Sequence, residues 1–95
     1  MSNGKIMRGR VVFFPRNEGG RDHMPTSDYR PHFSTKPGET LGVRITEISQ
    51  SSKLGEPIEV SFELIYPNVD YSSLTRGSTF RIMEGSKIVG SGLVI

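Results

Sequence analysis

The side chains best suited to chemistry fall within one stretch, Glu18 to Phe33, which reads EGGRDHMPTSDYRPHF. His23 and His32, with Asp22 and Asp28 nearby, supply the donor types of a two-histidine, one-carboxylate metal site. Their spacing matches no metal-binding motif, so no metal is expected. The serines and threonines lie outside any nucleophile-elbow context, and no GxxxxGK[ST] phosphate loop is present. Gly90 and Gly92 in GSGLVI follow a strand pattern and open no helix, so no helix N-terminus holds a phosphate there; they read as tight packing or a bend. No catalytic residue and no cofactor is expected, and the chain reads as a non-enzyme.

Recognition is the remaining chemistry. Arg30 is planar and permanently charged, and it sits between the rings of Tyr29 and His32, a combination suited to phosphate contact or stacking. An alternative stays open at this point: Tyr29 and Phe33 as core anchors of the loop, with Arg30 bridging a carboxylate. Gly19-Gly20, Pro25, Pro31 and the turn-forming side chains of Asp22 and Asp28 shape the stretch locally. A connection of this length in a compact domain is usually functional or disordered, and its rings and arginines argue for order.

The elements that must hold this loop are strands. Ile6 to Phe14 is a β-branched and aromatic run ended by Pro15, and Arg30-Pro31 forces an extended approach into a short strand near His32 to Thr35. Leu41, Val43 and Ile45 alternate with Gly42, Arg44 and Thr46, and Ile48 breaks that phase, which predicts a bulge or a strand end. Ser49 to Gly55 reads as a polar connection. Ile58, Val60, Phe62, Leu64 and Tyr66 form the clearest period-2 pattern, predicting one buried face with Glu59, Ser61 and Glu63 opposite. Asn68 to Gly77 has room for one short helical turn and no more. Thr79 to Met83 and Ile88 to Ile95 flank a Glu84-Gly85-Ser86-Lys87 turn.

Composition agrees with this all-β reading. Leu, Ile, Val and Phe number 25 of 95 residues, above the level below which chains stay disordered, and 17 Gly and Pro fall between the strands. A chain of this length is read as one domain, residues 1–95, with residues 1–5 as a flexible tail. With no Cys and no apolar run in MSNGKIMRGR, a cytoplasmic setting is the default. The net charge of +2 is uneven: residues 1–36 carry seven Lys or Arg against three acids, and the remainder five against seven. Such a bias can steer an anionic partner or simply aid solubility.

Taken together, the strand before EGGR, the YRPHF motif, the ELIYP strand and the hairpin RIMEGSKIVGSGLVI stand in an order and spacing that resemble the third, C-terminal domain of bacterial elongation factor Tu. The resemblance covers about Ile6 to Ile95 and implies a small antiparallel β-barrel of about six strands. It implies no GTP binding, since the nucleotide chemistry of that family belongs to another domain. It also implies contact with translation components, because the family's third domain touches the T stem of aminoacyl-tRNA. The contacting positions map onto His32, Tyr66 and Gly85, with Lys87 beside the last.

Where His32, Ser86 and Lys87 stand the family usually has Gln, Gly and Arg, so polar contacts differ while barrel positions are kept. The GGR element faces the nucleotide-binding domain in the family, so Arg21 is expected to be free for water or another protein. The resulting expectation is a protein-interaction module with binding residues Arg21, Tyr29, Arg30, His32, Tyr66, Gly85 and Lys87. An RNA-binding domain that holds a tRNA-like stem through phosphates is the alternative; no membrane association is expected.

Overall fold

The computed structural model describes residues 5–26, 28–48 and 52–95. Six strands, β1 (Lys5–Phe13), β2 (His32–Ser34), β3 (Leu41–Glu47), β4 (Ile58–Leu64), β5 (Thr79–Glu84) and β6 (Lys87–Val94), close into an antiparallel barrel in the order β1-β4-β3-β2-β5-β6. A single 3-10 turn at Arg16–Glu18 follows β1, and no α-helix occurs among the described residues. No helix there is long and apolar enough to cross a membrane. The all-β barrel expected from the sequence is therefore the observed fold. The tail expected at residues 1–5 falls almost wholly outside the described residues, apart from Lys5, which is in β1; Ser49–Ser51 of the polar connection also lie outside them.

Closure depends on how inward positions fill a narrow interior. Val11 and Phe13 of β1 face Gly92 and Gly90 of β6, which in turn pair with Phe80 and Ile82 of β5. A Cβ on Gly92 would lie 2.6 Å from Val11 Cγ1 and 2.9 Å from the Phe80 ring. Large side chains on two strands therefore require none on the third, which is how a small barrel takes up its taper. The packing predicted for these two glycines is what the structure has. Phe80 stacks on Phe33 at 4.1 Å between ring centroids, and Phe62 meets Phe33 edge-on at 4.9 Å. These three rings, all buried, are the centre of the core.

Two register shifts bend the sheet. One falls between Ile45 and Glu47 of β3, where the phase break ahead of Ile48 predicted a bulge, and it lets Ile48 lean onto the core. The other lies between Ile82 and Met83 opposite β6, where Val89 is the additional inward residue and is fully buried. It had no signal in the sequence, because Ile88 and Val89 are both apolar and either could face in.

Three expectations need correction. Tyr66 does not continue the inward face of β4: the strand ends at Leu64, and Tyr66 is 51% exposed. Asn68 to Gly77 contains turns and no helix; Tyr71 and Leu74 are its buried anchors, with the Tyr71 hydroxyl donating to the Gly42 carbonyl and accepting from the Tyr66 amide. Ser61, expected on the solvent face, is buried and accepts a hydrogen bond from Arg8 at 3.0 Å.

Burial assigns different weights to neighbouring positions of β4. Replacing Phe62 with Ala empties a position that meets two other rings edge-on and should cost about 3 to 5 kcal/mol. Glu59→Gln, at an exposed pair with Arg8 at 3.2 Å, should cost under about 1 kcal/mol. Urea denaturation of both variants checks this; equal midpoints would contradict the assigned core.

Candidate functional site

The Glu18–Phe33 loop is held along its length. It leaves β1 through an isolated bridge between Pro15 and Arg21, with the Arg21 amide donating to the Phe14 carbonyl at 2.8 Å. It returns along β3, where the Ile45 amide donates to Tyr29 O at 2.9 Å and the Val43 amide to Pro31 O at 3.1 Å. Backbone pairing thus lengthens the three-residue β2 on its N-terminal side.

Side chains fasten the middle of the loop to the β5–β6 hairpin. The Tyr29 ring meets Phe13 edge-on at 5.9 Å, the Arg21 guanidinium lies 5.1 Å over the Tyr29 ring, and the Tyr29 hydroxyl donates to Glu84 Oε2 at 2.6 Å. Arg21 forms an ion pair with the same carboxylate oxygen. Burial pushes the Tyr29 phenol up to about 12 despite the opposing pull of the Arg21 charge, so it stays a donor across ordinary pH. Arg21 was expected to be free; its guanidinium is instead committed to Glu84, because that residue ends β5 at the point where the loop crosses. Tyr29 and Phe33 are loop anchors, as the open alternative had it.

Arg30 is exposed and set apart from this latch. It pairs with Asp28 at 3.2 Å, and Asp28 adopts a left-handed φ of 61° that Asp tolerates better than most residues. Arg44 reaches Asp28 at 3.6 Å and hydrogen-bonds Glu63 at 2.9 Å, a contact that holds its guanidinium above its ordinary range. His23 is exposed in the loop while His32 sits in β2. No group of three His, Cys, Asp or Glu side chains gathers in metal-binding geometry among the described residues.

Of the other candidate residues, His32 and Tyr66 lie on one outer face. Between Phe33 inside and the bulge at β5, His32 points outward, with Gly42 opposite it on β3 and Met83 opposite it on β5. Met83 in turn faces Ile88 on β6. The Tyr66 ring lies over Gly42, where a Cβ would be 2.1 Å from Cε2, so only a glycine admits the ring. The outcome is a continuous row across four strands: Tyr66 over Gly42, then His32, Met83 and Ile88. Tyr66 and Ile88 are among the few large hydrophobic side chains left exposed.

A groove of about 780 Å³ takes in His32, Met83 and Ile88 of this row and runs over β2, β5, β6 and β1, walled by residues 35–40. His32 and Gly85 line it, and Lys87, opposite Glu84 in the hairpin, lies outside the lining. Gly85, at φ 60°, is the first central residue of a two-residue turn, a position only glycine takes readily and the signature of a type II′ hairpin. The structure thus brings His32 and Gly85 to one groove with Tyr66 over the neighbouring Gly42, leaves Lys87 in the hairpin opposite Glu84, turns Arg21 and Tyr29 into the latch beneath, and leaves Arg30 at the loop's edge. Sequence reasoning missed Glu84, Arg81, Met83, Ile88 and Leu93. Strand parity at Phe80 and Ile82 signals the outward direction of Arg81 and Met83. Nothing local signals that Glu84 meets a loop more than fifty residues earlier in the chain. No protein-family model matches the chain.

The latch carries a pH signature. Since the folded phenol of Tyr29 titrates near 12 against 10.0 for an ordinary tyrosine, its contribution is complete below pH 10 and is lost as pH rises toward 12. Discounted for partial exposure, the loss is roughly 2 kcal/mol. Denaturation of wild type and Tyr29→Phe between pH 8 and 12 should show the wild type losing more stability on the alkaline side; parallel curves would contradict the buried phenol.

Proposed function

We propose that this chain is a non-catalytic binding domain whose ligand is a protein among translation components, engaged through the outer face of β2, β5 and β6. The observation that carries this reading is the row of Tyr66, His32, Met83 and Ile88, in which aromatic, imidazole, thioether and aliphatic groups lie side by side on the outside of the barrel. A contiguous exposed apolar surface edged by polar groups is what protein recognition uses, with aromatic residues and Met enriched at its centre. The row rests on a closed sheet and stacked rings, so little ordering would accompany binding. The resemblance to the third domain of elongation factor Tu supplies the translation setting and a cytoplasmic one.

RNA binding by the same surface is the competing reading. It would draw on arginines aimed at phosphates, yet Arg21 is paired with Glu84, Arg30 with Asp28 and Arg44 with both Asp28 and Glu63. Each would have to exchange a carboxylate for a phosphate. Arg81, Lys36 and Lys87 stand outside these pairs, and three cations interrupted by apolar positions give less purchase on a stem than a continuous basic track.

The two readings separate in one experiment. The immobilised domain should retain ribosome-associated proteins from a nuclease-treated lysate, and Met83→Glu or Ile88→Glu should reduce retention at least tenfold, with a modest effect of salt between 50 and 300 mM. Retention abolished by nuclease, or a steep salt dependence that eases by about one unit in Lys87→Ala, would transfer the function to RNA.

A further inference from the structure

The groove that takes in His32, Met83 and Ile88 has a charge pattern of its own. Its charged lining is Arg10, Lys36, Arg81 and a single acid, Glu39. Arg10 is already within 3.6 Å of Glu59. The Glu39 carboxylate is turned into the wall, where it accepts hydrogen bonds from the Thr35 amide and hydroxyl at 2.9 and 2.6 Å and from the Ser73 hydroxyl at 2.9 Å. Burial alone would push that carboxyl up; these bonds and the Lys36 charge outweigh it and hold it below its usual range, so it stays ionised and occupied. Arg81 is exposed on the groove floor and pairs with no carboxylate among the described residues.

Arg81 is also placed in a regular array. On β5 the outward positions are Thr79, Arg81 and Met83, alternating with buried Phe80 and Ile82. Opposite them on β6 stand Leu93, Ser91 and Ile88. Along the strand direction the floor therefore reads apolar at Met83 and Ile88, cationic at Arg81, and apolar again at Leu93. Successive outward positions are about 7 Å apart, the same interval at which an extended peptide presents side chains on one face.

We propose that the groove binds an extended peptide segment of a protein partner in which one Asp or Glu stands two residues from an apolar side chain on either side. The acid meets the Arg81 guanidinium, and the apolar side chains rest on Met83 with Ile88 and on Leu93. The pattern is symmetric about the acid, so either chain direction fits. This inference rests on the protein-binding reading above and names the chemistry of the partner. A nucleic acid fits less well, because the floor offers a single cation between two apolar patches, with Lys36 only in the wall, where a phosphate chain needs a series of cations.

The probe is a display library of random nine-residue peptides panned against the folded domain, with Met83→Glu as the background. Enrichment of apolar-x-acid-x-apolar sequences is expected. A labelled peptide from the enriched set should bind Arg81→Glu at least tenfold more weakly than wild type. Its counterpart with Lys in place of the acid should prefer Arg81→Glu over wild type. Enrichment without a central acid, no enrichment over the Met83→Glu background, unchanged binding to Arg81→Glu, or displacement by a tRNA transcript with a steep salt slope would each overturn the proposal. Lysate capture that depends on Met83 but ignores Arg81→Glu overturns this inference and leaves the protein-binding reading standing; capture that depends on neither ends both.

Discussion

The barrel closes on a strand of three residues, and the outer face depends on that junction. Between β2 and β5 only His32, Phe33 and Ser34 make ladder pairs, to Met83, Ile82 and Arg81. Two contacts reinforce so short a seam. The Phe33 ring stacks on Phe80 in the core, and one residue past the ladder, on the parity of Phe80 and Ile82, the carboxylate of Glu84 is held by Arg21 and by the Tyr29 hydroxyl. An aromatic stack in the core and a partly buried, hydrogen-bonded ion pair at the end of the ladder thus both link the loop segment to the hairpin. Because His32 and Met83 are the outward members of that ladder, whatever fixes the seam also fixes the apolar row. Breaking one partner of the ion pair leaves the other charge half-buried, so the latch is more sensitive to single substitutions than an exposed surface pair would be.

Much of this was legible in the residues because the core obeys simple alternation. Val43 and Ile45, or Val60, Phe62 and Leu64, declare their inward direction by period 2 alone, and Gly90 with Gly92 signals close packing on β6. Reading failed where long-range partners override local pattern. Tyr66 continues the parity of β4, yet the strand stops two residues before it, and the ring finds a seat on Gly42 of the neighbouring strand. Arg21 looks like a free surface cation until Glu84 arrives from more than sixty residues away. The shift at Met83 is invisible because two adjacent apolar residues, Ile88 and Val89, can exchange faces without changing the pattern.

The candidate site divides along the same line. Residues chosen for charge in the loop are occupied within the fold: Arg21 supports the hairpin, and Arg30 leans on Asp28. Residues chosen through the hairpin and the strand ends, His32, Tyr66, Gly85 and Lys87, remain on the outside with apolar neighbours the sequence did not single out. A face that sets its few unpaired cations among thioether, imidazole and aliphatic groups suits a protein partner better than a phosphate backbone. Within that face the one unopposed guanidinium, Arg81, adds charge selectivity to an otherwise apolar contact.

Photo-crosslinking tests this account most directly. A photoreactive residue introduced at Met83, or for comparison at exposed Glu47 at the end of β3, two strands away, would report what covers each position in living cells. The account predicts nuclease-resistant crosslinks to a defined protein from position 83 and none from position 47. Crosslinks from position 83 that vanish on nuclease treatment, or equal yields from the two positions, would contradict it.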